Sequence, residues 1–538
     1  MELRQKEDKT MKKYLNSILS MAALLMASAT VFTACSNDDD IIGEQPVNPA
    51  QKTYKLTVNA SKGGDATTRA LSLDGKALNA TWAEGDKVKV YNSSNAEIGE
   101  LTAETSGAST KLKGDLSTLP TDGETLTLKF LSPSYDSQKG TIEHIAANCD
   151  YATATVTATV SGSAVTATDA NFENKQAIVK FSLTDKTTTS AISATQLVVN
   201  DGTTDYTITP ASATSEIYVA LPGFSGQTVT LTATAGGNTY SYEKTGVSFT
   251  NGQYYEIGVK MSPIISLSGR YSSDDELVIA DGCILTGYGY NYSCKVSIAD
   301  GATVTLRDVE NNGDIAGCPG IKCLGDATII LEGDNTVTGG DQYAGIYVPG
   351  DKTLTIRGTG SLNVTGGSLA AGIGGNATGD ANCGSIVISG GTVTATGSSG
   401  GAGLGLGLGA SYGACKDITI SGGTVTATGS SGGAGIGLGA SEGGCKAITI
   451  SGGTVTATGS GFAPGIGGAA GYYESITITG DVSKVTATKG SSAQYSIGIA
   501  DDDSWDYCGP ITIGGTVYFD EGNFTNNDLT TSPFVYQP

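Results

Sequence analysis

One phrase occurs three times in this chain. Residues 386–397 read IVISGGTVTATG, and residues 418–429 and 448–459 both read ITISGGTVTATG. Each copy runs into glycine and small apolar residues: GAGLGLGLG from Gly401, GAGIGLG from Gly433 and APGIGG from Ala463. Ser389, Ser421 and Ser451 open the SGGTV element, at steps of 32 and 30 residues. Self-similarity at this period restricts the region to a solenoid or an array. A Gly-Ile or Gly-Leu marker extends the pattern both ways, from Gly320-Ile321 through Gly345-Ile346 and Gly372-Ile373 to Gly498-Ile499.

Within a copy the period is two. Val425 and Ala427 alternate with Thr424, Thr426 and Thr428, and no helical stripe is present. Gly-Gly and Ser-Gly pairs punctuate the strands. Three short strands per turn of about thirty residues predict a right-handed parallel β-helix, with like residues stacked at the strand spacing of about 4.8 Å. Ile418, Ile420, Val425, Ala427, Ile436 and Leu438 are then expected to point inward. Burial of each large aliphatic stabilises by about 1.5–3 kcal/mol, enough in sum to hold a Gly-rich chain together.

The chain is 538 residues long with a formal charge of −22, which excludes a phosphate-binding footprint and hence nucleic acid as a partner. Its β-branched content excludes a disordered chain. Positions 1–35 read as a lipoprotein signal starting at Met11: Lys12 and Lys13, an apolar run over 18–31, then Phe32-Thr33-Ala34-Cys35. The run is too short to span a bilayer. Cys35 is expected to carry the lipid, and 36–50 is an acidic linker that opens with Asp38-Asp39-Asp40. A triple Asp behind a lipidated Cys resembles the surface-export signal of lipoproteins in Gram-negative anaerobes. It implies anchorage on the outer face of the outer membrane.

From 51 to 262 the strands alternate, as in Tyr54-Lys55-Leu56-Thr57-Val58 and Leu126-Thr127-Leu128-Lys129-Phe130, between irregularly spaced turns. This pattern predicts antiparallel β-sandwiches, divided here as 51–160 and 161–262, with the β-helix over 263–538. Thr68-Arg69-Ala70-Leu71, Thr81-Trp82-Ala83-Glu84-Gly85-Asp86 and Asn251-Gly252-Gln253-Tyr254-Tyr255 make this region resemble the fimbrillin-like surface lipoproteins. The resemblance implies a two-subdomain β-sandwich that serves in cell adhesion or as a pilus subunit. It further implies proteolysis between Arg69 and Ala70, removal of the first strand, and acceptance of a strand from another subunit. A solenoid where a pilin has its donor strand implies a tip or accessory subunit. The C-terminal half resembles surface β-helix proteins with carbohydrate-binding domains, through 327–333, 344–348 and 354–356.

Cys383, Cys415, Cys445 and Cys508 each precede a strand-opening Ile by three residues, with Tyr473 at that place in one coil. Stacked, they form a ladder that fits either packed thiols or adjacent disulfides. No metal is expected, since no His is near and the thiols do not converge. Thr392, Thr394, Thr396, Thr424, Thr426, Thr428, Thr454, Thr456 and Thr458 are expected on the outer face, a lattice that suits a repetitive ligand such as a glycan, or is simply good strand composition. The Gly-x-Gly-x-Gly run either exposes backbone to a ligand or relieves crowding at a corner.

Catalysis has little to work with. The single histidine, His144, lies in the sandwich region, and no Arg follows Arg357. Asp501, Asp502, Asp503 and Asp506 form an acidic turn. No cofactor motif is present, because no Gly-Lys-Ser/Thr follows the glycine runs. The expectation is a non-enzymatic surface adhesin whose β-helix binds a glycan. The alternatives are a pilus accessory subunit and, third, a polysaccharide-degrading β-helix enzyme.

Overall fold

The computed structural model describes residues 52–62, 71–74, 77–268, 276–289, 295–312, 317–379, 381–408, 413–440, 443–499, 507–520, 523–524 and 527–538. The regular structure of the described residues is nearly all β-strand.

The first sandwich is built on alternation. In Tyr54–Ser61 the side chains of Leu56, Val58 and Ala60 are buried, while Lys55 and Asn59 face solvent. This strand runs antiparallel to Ser109–Leu116 along its whole length. Its other edge is parallel to Ala164–Ala167 and Ala170–Asn171. The remaining pairings run through Glu97–Ala103, Lys87–Tyr91, Thr125–Phe130 and Ala152–Ser161, which pairs in turn with Ala164–Ala167. The ring of strands thus closes through the first one. Closure removes the open edges that would otherwise template aggregation. Trp82 fills the centre, edge-on to Phe130 and Phe172.

Among the described residues there is one α-helix, Ile142–Asn148, inserted between Thr125–Phe130 and Ala152–Ser161 and packed against the second sandwich. Thr141 caps it by accepting from the His144 backbone N–H at 3.2 Å. Its Ile145 packs in one cluster with Ile178, Ala220 and Tyr254 of the second sandwich. The fully buried Gln138 side chain donates to Tyr135 and Ala220 carbonyls and accepts from the Ala220 N–H, so all its groups are satisfied. His144 therefore stands at a helix N-terminus, where burial and, second, Lys139 lower its pKa.

In the second sandwich one sheet is Glu216–Leu221, Ala177–Asp185 and the first part of Tyr254–Ser266. The other is Asp205–Ile208, Gln196–Asn200, Phe224–Ala235 and Asn238–Phe249. The strand Tyr254–Ser266 belongs to both, crossing at Ser262-Pro263 to pair with Asn238–Phe249. Its last residues, Ile264–Ser266, then run parallel to Ile284–Thr286 of the solenoid. The sandwich caps the first coil through a shared strand.

The solenoid has three parallel sheets. One carries the Gly-Ile markers, with Ile346, Ile373, Leu404, Ile436, Ile466 and Ile497 in one column. The second stacks Ile386, Ile418, Ile448, Ile476 and Ile511. The third stacks Leu362, Val393, Val425, Val455 and Val485. All are essentially solvent-free, as are the six residues expected to point inward. The last coils are closed by the 3-10 turn Asn527–Thr530, whose Leu529 is buried, and by Phe534–Tyr536 lying antiparallel on Val485–Ala487.

Polar side chains at the corners tie coil to coil. Asn335, 1% exposed, accepts from the Val309 N–H of the preceding coil and donates to Glu332 O and to Ser361 O of the following one. Asp300, Asp326 and Asp417 likewise accept backbone N–H groups from the next coil.

Candidate functional site: the threonine face of the solenoid

The outer surface of the third sheet follows from strand alternation. With Val425 and Ala427 inward, Thr424, Thr426 and Thr428 must face out. Thr394, Thr426 and Thr456 are register partners, as are Thr396, Thr428 and Thr458, and Thr392, Thr424 and Thr454. The structure brings all nine together on one face, exposed or half-buried.

The array is longer than the near-identical repeats. One rank reads Thr336, Asn363, Thr394, Thr426, Thr456 and Thr486, and the next reads Thr338, Thr365, Thr396, Thr428, Thr458 and Thr488. Six coils therefore present two ranks of hydroxyls with one amide and no charge. Rungs are about 4.8 Å apart, and the ranks about 6.6 Å. The flanking rank begins at Asp334 and ends at Lys484. The upstream rungs are legible as Thr336-Val337-Thr338-Gly339 and Asn363-Val364-Thr365-Gly366, the same phrase with its flanks changed. Phe462, 65% exposed, stands on the turn that leaves the Thr454–Thr458 rung. On the second sheet Thr355, Val387, Thr419, Thr449, Thr477 and Thr512 form a single outward rank.

The cysteine column is interior. Cys383, Cys415, Cys445, Tyr473 and Cys508 follow one another in register. The four cysteines are free thiols, all but Cys508 fully buried. Hydrogen bonding to the neighbouring thiol, with burial, holds Cys415 and Cys445 well above the ordinary thiol range. Burial pushes Cys508 up to about 12. Such thiols are poor nucleophiles and poor metal ligands in the folded chain. Among the described residues, no group of three or more His, Cys, Asp or Glu could hold a metal ion.

The Gly-x-Gly-x-Gly run does not offer backbone to a ligand. Gly401 to Gly407 are buried. Gly405 and Gly437 adopt φ of +132° and +129°, and a β-carbon on either would strike the carbonyl of the glycine in the next coil. Crowding between coils is what these positions relieve.

Cys35, Arg69, Ala70 and the acidic turn Asp501, Asp502, Asp503 and Asp506 lie outside the described residues.

Residues 386–407, 418–440 and 448–472 match the family model of the β-helix repeat. Among solved structures, the chain is similar to a fimbrial assembly protein from Parabacteroides distasonis, at 11% identity over 38% of this chain and 91% of that one, with a TM-score of 0.23. It is also similar to the shaft pilin SpaA from Lactobacillus rhamnosus GG, at 11% identity over 40% of this chain and all of that one, with a TM-score of 0.19. No curated protein matches.

Proposed function

We propose that this chain is a non-enzymatic surface adhesin, held to the outer membrane by a lipid on Cys35, with the sandwiches as a stalk and the solenoid as the binding element. The observation that carries the reading is the pair of uncharged ranks Thr336–Thr486 and Thr338–Thr488, unbroken over six coils of a chain with charge −22. A flat lattice of hydroxyls and methyls at a fixed step suits a neutral repetitive polymer, a glycan above all. Hydroxyls hydrogen-bond sugar hydroxyls, and the methyls cover the apolar ring faces. An anionic polymer meets the repulsion of the whole chain. The test is a glycan array probed with the intact chain and with a Thr394→Lys/Thr456→Lys variant. Binding of neutral polysaccharides by the first and not the second supports the reading. Equal binding by both removes the threonine face from it, and release of reducing ends from a soluble polymer would favour an enzyme.

A second reading, an accessory or tip subunit of a pilus, is favoured by the setting of Tyr54–Ser61. This first strand lies between an antiparallel and a parallel neighbour, so it is an insert rather than one arm of a hairpin. Cleavage after Arg69 would leave it held by non-covalent contacts alone, and its departure would open a slot for a strand from another subunit. Incorporation into filaments after cleavage is the observation that separates this reading from a stand-alone adhesin.

A further inference from the structure

The slot occupied by the first strand ends in a pocket for a cation. Leu56, Val58, Ala60 and Lys62 share one parity and all face inward. The Lys62 side chain is 0% exposed, and its Nζ lies 3.2 Å from Asp150 Oδ2, itself 2% exposed. The same Nζ stands 3.2 Å from the Phe130 ring centroid and 4.4 Å from that of Trp82. Asp150 Oδ1 accepts from Gln176 Nε2 at 3.2 Å. Among the described residues, the ammonium meets the Asp150 carboxylate and two ring faces, out of water.

Among the described residues, the groups that build this pocket come from beyond residue 70, on four separate segments. Everything that fills it comes from the first strand, which joins them only through residues 63–70. In topology the segment 54–62 is a bound peptide with a charged terminal anchor. A buried carboxylate that loses its cation is strongly destabilising, whereas an apolar mismatch on a strand face is a smaller penalty.

We propose that the Asp150–Phe130–Trp82 pocket selects the strand that occupies the slot by a lysine two residues after its last inward apolar side chain. The partner it fits is a β-strand of a second polypeptide with the pattern aliphatic-x-aliphatic-x-Ala-x-Lys. This inference rests on the strand-acceptance reading and adds what the slot accepts. The strand Phe534–Tyr536 is already engaged on Val485–Ala487 and does not carry this pattern.

The test uses the full chain with a site-specific protease site placed within 63–70, nicked after folding. A fluorescent peptide copying 52–62 is offered beside one with Met at the position of Lys62, under urea just sufficient to release the resident strand. The lysine peptide is expected to bind at least about 100-fold more tightly. In an Asp150→Asn chain that preference is expected to shrink to within about threefold, because the uncompensated charge is gone. Equal binding of both peptides to the unsubstituted chain would overturn the lysine selection and leave strand acceptance standing. Failure of either peptide to enter after the resident strand has left would overturn strand acceptance itself.

Discussion

The hydroxyl of Tyr473 lies 2.5 Å from the point where a β-carbon on Gly468 would stand. Gly437 and Gly467 are register partners, so the next residues, Leu438 and Gly468, stand at the same place in adjacent coils, and Tyr473 is the register successor of Cys445. One coil has therefore exchanged a Leu and Cys pair for Gly and Tyr, keeping the interior filled while changing both occupants. The buried Tyr473 hydroxyl lies against the Leu438 backbone, and burial raises its pKa well above the ordinary value.

The two sites should be strongly coupled. Gly468→Leu alone is expected to overpack the coil and destabilise by about 1–3 kcal/mol, and Tyr473→Cys alone to leave a cavity that costs about 3–5 kcal/mol. The double variant restores the pairing of the coil before it and should recover at least about 1 kcal/mol over the sum. Urea midpoints of the four proteins measure this, and additivity would contradict the shared-volume account.

Asn335 is a staple across three coils. Asn335→Ala should cost about 2–4 kcal/mol, since the buried Val309 N–H and Ser361 carbonyl lose their partner. Asn335→Asp keeps an acceptor for Val309 and loses both donated bonds, so it should not rescue. Hydrogen exchange at Val309 reports the lost bond directly. An unchanged rate in the Ala variant would contradict the assignment.

Alkaline pH should destabilise the fold through its buried thiols. Burial pushes Cys323 up to about 12 from an ordinary value near 9. The stabilisation from keeping this thiol neutral is complete below the unfolded pKa. It falls as pH rises from 9 towards 12, by about 1.4 kcal/mol per pH unit for the single proton. Cys323→Ala should lower the overall stability and flatten its decline across that window. Urea midpoints from pH 8 to 11 test the sign, and an unchanged slope in the Ala variant would contradict it.

The solenoid was legible because its pairings repeat in the sequence. Val393, Val425 and Val455 announce their stacking by position in a phrase, and Thr394, Thr426 and Thr456 follow by parity. The rungs at Thr336 and Asn363 were less visible, since only the short phrase around them survives. The closure of the first sandwich left no such trace. Lys55 pairs beside Ala164 through a parallel contact that no local pattern encodes. Nor does anything near Lys62 mark it as a lysine that meets Asp150, because that pair is defined by a fold that joins positions 88 apart. The cysteine spacing put Cys383, Cys415, Cys445 and Cys508 at one place in the repeat, and it left open whether the thiols are joined.

The ladder has its own chemical signature. Maleimide applied to the folded chain at neutral pH should leave Cys383, Cys415 and Cys445 unmodified, because all three are buried. Unfolding without reductant should then expose all three. Recovery of a linked pair of peptides would show a disulfide instead.

The central claim is that residues some thirty positions apart stand on adjacent rungs, so that the threonine ranks form a lattice. Spin labels at Thr338 and Thr488, outward on the same rank and five steps apart, test it most directly. A single narrow distance distribution near about 24 Å is predicted from about 4.8 Å per step. A broad distribution, or one centred well beyond that distance, would contradict the stacked coils and the binding face built on them.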